Sequence, residues 1–212
     1  MKIMVLLFFM HNTLATALLG VRFLSKGGTF STYFGIGLLF DAVAFGAWGA
    51  ALVSPENLPV LVTTGAVLAL LSFLLFLKSG IVDLPSTIQT RAVAIGAIFI
   101  AATFVAGRYI FPTPKFVSDE GFLFFNLHPF VQVMYITALV IAAFPAMEKA
   151  GSMFRGGYSM LVKFLLAIQV IGTIVLITNT DTLSLIVVGW CMGLSYFLLW
   201  TMLLFRRGIW LS

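Results

Sequence analysis

Seven stretches of the chain stay apolar for about the length that a helix needs to cross a hydrocarbon core, and little sequence is left between them. They run over Ile3–Leu24, Thr32–Val53, Pro59–Leu77, Ala92–Phe111, Phe122–Ala146, Tyr158–Thr178 and Leu183–Phe205. A spanning helix takes about 20 apolar residues, and it satisfies its backbone polar groups internally where no water is available. Strands of a membrane barrel would alternate polar and apolar residues in blocks of about ten. These runs are continuous, so helices are expected. The interruptions carry turn chemistry, including Lys26-Gly27-Gly28, Ser54-Pro55-Glu56-Asn57, Pro112-Thr113-Pro114 and Asn179-Thr180-Asp181. Met1-Lys2, Ile3–Met10 and Ala15-Thr16-Ala17 have the outline of a secretory signal, but the apolar run continues to Leu24 and reads as a first membrane helix.

Composition agrees. Hydrophobic residues make up 61% of the chain and charged residues 9%, against about a quarter charged in soluble domains. The expected fold is therefore all-α, a polytopic membrane helix bundle of about seven transmembrane helices. Residues 1–212 form a single transmembrane domain with no soluble domain. The net charge of +5 comes from basic residues set between apolar runs, which fits topology and anionic headgroups rather than nucleic acid. Cys191 is the only cysteine, which excludes an internal disulfide and any cysteine-rich metal site.

Orientation follows from where Lys and Arg fall. Nine of them (Arg22, Lys26, Lys78, Arg91, Lys149, Arg155, Lys163, Arg206 and Arg207) gather on one side, against Lys2, Arg108 and Lys115 on the other. The N-terminus is expected outside and the C-terminus in the cytoplasm, in a plasma or inner membrane. A 3+1+3 pseudo-repeat is also suggested. Leu7–His11 is echoed by Leu123–His128, Lys26-Gly27-Gly28 by Arg155-Gly156-Gly157, and Ser72–Phe76 by Tyr196–Trp200.

Polar groups inside a bilayer are costly, so they are the natural functional candidates. His128, Gln132 and Tyr135 follow at i, i+4 and i+7 and share one face of the fifth helix. Asp41 is the only acidic residue well inside a span, and Gln169 lies in the sixth. These five residues are the expected contacts of a ligand or ion pathway. His11 and His128 are the only histidines. Each lies about two turns into its apolar run, which suits metal ligation in the form of bis-imidazole haem b. No HExxH, GxSxG or nucleotide-binding loop occurs, and the seventh helix has no lysine for a Schiff base.

The leading expectation is a non-catalytic membrane protein, a transporter or a receptor-like sensor of a small solute or ion. The alternatives are a b-type haem electron carrier and an accessory subunit that docks with other membrane subunits. The haem alternative predicts a reduced-minus-oxidised b-type absorption band in purified protein, lost in either His11→Ala or His128→Ala.

Overall fold

The computed structural model describes residues 2–111, 127–178 and 182–205. It contains seven long helices: α1 (Lys2–Lys26), α2 (Thr29–Val53), α3 (Leu58–Gly80), α4 (Ser86–Val105), α5 (Pro129–Ser152), α6 (Gly157–Thr178) and α7 (Thr182–Phe205). All seven are long and apolar enough to cross a membrane, and there is no strand among the described residues. The chain is an integral membrane helix bundle.

Two helices differ in extent from the hydropathy reading, each for a local reason. The fifth span was expected over Phe122–Ala146, but α5 starts at Pro129 and runs on to Ser152; residues 122–126 lie outside the described residues. Proline suits the first helical turn because its φ is preset and it has no N–H to satisfy. His128 stands at the N-cap, where its ring accepts a hydrogen bond from the Phe130 backbone N–H. The helix then continues through the polar residues Glu148 and Lys149. The fourth span was expected over Ala92–Phe111, but Pro85 caps a helix that begins at Ser86. That helix ends in a π turn, Ala106–Ile110.

Six helices close a ring. α1 packs on α2, α2 on α3, α3 on α5, α5 on α6, α6 on α7, and α7 back on α1. α4 lies outside the ring against α3 and α5, and within Ser86–Val105 only Thr103 is buried. The order matches a 3+1+3 plan, since exchanging α1–α3 with α5–α7 leaves every neighbour relation unchanged. The glycine turns support the same equivalence. Gly27 and Gly28 precede α2, Gly156 precedes α6, and all three have positive φ, which side chains other than glycine rarely adopt.

One end of the bundle is closed by aromatic packing. Phe34 is edge-on to Phe23 at 4.8 Å, stacked on Phe30 at 5.2 Å and tilted against Phe76 at 5.3 Å. Beyond this plug the same end carries the ion pairs Lys149–Asp83 and Lys163–Glu148. There Arg22 also donates to the Leu203 carbonyl at 2.9 Å, supplying a partner to a carbonyl in the last turn of α7.

The α1–α2 seam depends on two glycines. A Cβ added to Gly35 would lie 2.9 Å from the Gly20 carbonyl oxygen, whereas one added to Gly46 on the same helix would meet only Thr13 at 3.7 Å. Gly35→Leu is expected to force the helices apart at a cost of about 1–3 kcal/mol, seen as a lower melting temperature in detergent. Gly46→Ala is expected to leave that temperature nearly unchanged.

Candidate functional site

Inside the ring, and reaching α4 where it packs on α3 and α5, lies a cavity of about 240 Å³ lined by residues of every helix except α1. Its lining begins above the aromatic plug, at Phe34, Phe76 and Ala146, and reaches Thr63, Arg108 and Ile177 toward the opposite end. Most of the wall is apolar or aromatic. Asp41 is its only acidic residue and Arg108 its only basic one among the described residues. Asp41 is in the middle of α2, whereas Arg108 belongs to the π turn at the end of α4.

Two polar pairs occupy opposite walls. Asp41 is the thirteenth residue of α2 and Gln169 the thirteenth of α6, and these helices lie three steps apart around the ring. Asp41 Oδ1 is 2.6 Å from the Ser72 hydroxyl of α3. Gln169 donates from Nε2 to the Ser195 hydroxyl of α7 and, at 2.6 Å, to the Met192 carbonyl. Both serines also reach a carbonyl one turn back in their own helices, Ser72 to Ala69 and Ser195 to Met192, each at 2.8 Å. The next residue in each helix, Phe73 or Tyr196, also lines the cavity. The two halves thus present the same pair of positions, with a carboxyl in one and an amide in the other.

This equivalence corrects the register suggested by the sequence echo. Matching Ser72–Phe76 to Tyr196–Trp200 is one residue out, because the structure pairs Ser72 with Ser195. The histidine echo has no positional counterpart, since His11 is the tenth residue of α1 and His128 caps α5.

The sequence-derived candidates divide accordingly. Asp41, Tyr135 and Gln169 line the cavity. Tyr135 packs edge-on against Phe73 at 5.3 Å. Gln132 does not line it; its Nε2 donates to the Ile177 carbonyl at 3.2 Å and joins α5 to the end of α6. His128 is exposed and stacks on Phe111 at 4.2 Å. His11 lies between α1 and α7, stacked on Trp190 at 5.2 Å, and a Cβ on Gly193 would meet its ring at 2.1 Å. His11 therefore lies at the α1–α7 seam, whereas His128 is exposed at the start of α5. No group of three or more His, Cys, Asp or Glu side chains suited to a metal occurs among the described residues.

Several lining residues were not among the sequence candidates. Tyr196 is buried in the wall of α7. Its signal in the sequence is the spacing Met192, Tyr196, Leu199, Leu203, which marks one helical face. Trp48 lies over Gly65 of α3, so closely that a Cβ there would fall 2.3 Å from its Nε1, which also reaches the Val62 carbonyl at 3.4 Å. Ser72 and Ser195 do not line the cavity themselves, and the echo around Ser72 gave no sign of their bonds, because serines in membrane helices commonly bond their own backbone.

The Gln169 amide joins α6 to α7 through two acceptors. Gln169→Leu is expected to destabilise the folded bundle by about 1 kcal/mol, in the range of interhelical hydrogen bonds in membranes. Ser195→Ala should cost less, and thermal melts of the double variant should show a smaller loss than the sum of the two, because the residues share one network.

Comparison with models of known protein families, with curated proteins and with solved structures finds no match for this chain.

Proposed function

We propose that this membrane protein binds a small solute in the cavity of its helix ring, as the substrate site of a transporter or the ligand site of a sensor. The observation that carries this reading is the cavity itself, an apolar space inside the ring into which Asp41, Tyr135, Gln169 and Tyr196 converge. A concave apolar pocket with a few convergent polar groups is the usual form of a small-molecule site. Its volume of about 240 Å³ is below the roughly 300–1,000 Å³ of sites for drug-sized ligands, which favours a smaller solute. Gln169 joins α6 to α7 and Asp41 meets Ser72 of α3, but both also line the cavity, whereas Gln132 and Asn12 join helices without lining it. Asn12 is fully buried and donates to the Gly189 carbonyl at 3.1 Å, joining α1 to α7.

The placement also suits passage from one side. With the basic end toward the cytoplasm, as the charge bias indicates, the aromatic plug closes the inner end and the lining extends outward to Arg108. Asp41 then lies about 18 Å from the outer end of α2, counting 1.5 Å per residue to Val53.

Benzylamine, benzyl alcohol and benzoate share one ring and differ in charge. At least one should bind saturably to protein-loaded lipid nanodiscs above an empty-nanodisc control, measured by saturation-transfer NMR. Ala66→Trp places a large ring in the lined space and should abolish that binding while helical circular dichroism is retained. Absence of saturable binding by all three, or binding unaffected by Ala66→Trp, would contradict the proposal.

A further inference from the structure

The donors and acceptors of the wall are unevenly matched. Trp48 directs its N–H to Val62, and the hydroxyls of Thr63, Thr103 and Thr173 donate to carbonyls of their own helices. Gln169 gives both amide hydrogens to α7. Its orientation is fixed by chemistry, since the Met192 carbonyl can only accept and so must face Nε2 rather than Oε1. Gln169 Oε1 then has no hydrogen-bond donor among the described residues, and neither has Asp41 Oδ2, because Ser72 approaches Oδ1. Two acceptors on opposite walls are therefore left, one of them on a carboxyl group, and the phenolic hydroxyls of Tyr135 and Tyr196 are the uncharged donors that share the lining with them.

The surroundings of Asp41 add a second constraint. Phe45, Trp48, Phe73, Tyr135 and Tyr196 line the cavity with it. Aromatic faces attract cations electrostatically, and a carboxylate in a wall of this kind gains most from a positive partner. Among the described residues the one cationic side chain of the lining, Arg108, sits at the end of α4, whereas Asp41 is in the middle of α2.

We infer that the solute is a small organic ammonium ion, with N–H donors on an alkyl or aryl body and Asp41 as its counter-ion. This rests on the solute-binding reading above and specifies its ligand class. The Asp41 carboxylate and Gln169 Oε1 accept from the ammonium group, and the aromatic wall receives the apolar body. A carboxylate ligand would be repelled by the Asp41 carboxylate, and a neutral alcohol would lack the charge pairing.

The test titrates the same three probes, each as a single compound, against protein in nanodiscs. Benzylamine is expected to bind at least tenfold more tightly than benzyl alcohol, with benzoate weaker still. Asp41→Asn should lower benzylamine affinity tenfold or more, and Asp41→Glu should restore the preference for benzylamine over benzyl alcohol, so that a folding defect in one variant does not decide the result. Ile171→Ala, on the outward face of α6, should change affinity less than twofold. Benzyl alcohol or benzoate binding as tightly as benzylamine would overturn the ammonium assignment while leaving the cavity reading intact. Binding by none of the three would overturn both.

Discussion

In hydrocarbon a polar group without a partner costs several kcal/mol, and this requirement organises the positions of the polar side chains in the bundle. Asn12 lies where it can reach a carbonyl of α7, Gln132 where it can reach the end of α6, and Gln169 where two acceptors of α7 converge. Each such bond lies between ring neighbours, so these bonds also hold the helix order, although Asn12 Oδ1 is left without a partner among the described residues. Among the described residues α4 makes no comparable polar contact with α5, and its side-chain bonds to another segment are those of Gln89, to Lys78 and to the turn carbonyls of Val82 and Leu84. Its peripheral position is consistent with that.

The ring has the neighbour relations of a two-fold arrangement but is not chemically symmetric. Asp41–Ser72 and Gln169–Ser195 occupy matching positions, yet the hydrogen positions differ. Ser195 accepts from Gln169 and passes its own hydrogen to Met192. Ser72 has one hydrogen and two acceptors nearby, the Asp41 carboxyl at 2.6 Å and the Ala69 carbonyl at 2.8 Å. A neutral Asp41 can donate to Ser72 and reproduce the Gln169 arrangement, whereas an ionised Asp41 needs the Ser72 hydrogen or an external cation. The carboxyl wall is thus the one whose hydrogen bonding depends on what occupies the cavity.

Most of the architecture was legible because hydropathy reports directly on lipid contact. The seven spans, the glycine turns at Gly27-Gly28 and Gly156, and the membrane placement of Asp41, Tyr135 and Gln169 all follow from it. The start of α5 was not legible, since an apolar run cannot show that Pro129 and His128 set the helix boundary. The same boundary puts His128 at the cap of α5, whereas His11 is the tenth residue of α1. Tyr196 was missed because its stripe is apolar like the rest of α7. Ser72 and Ser195 became visible only when helix neighbours were known. Gln132, by contrast, shares a face with Tyr135 but is long enough to reach α6 instead of the cavity.

Thr173 lines the space within the bundle, whereas Ile171, two residues earlier on α6, lies on its outward face. Cysteine at each position, in a Cys191→Ser background, can be tested with a positively charged methanethiosulfonate reagent applied to the protein in lipid vesicles. The account predicts that cysteine at 173 is labelled and is protected by benzylamine, and that cysteine at 171 is not labelled. Equal labelling at both positions, or labelling at 171 alone, would contradict it.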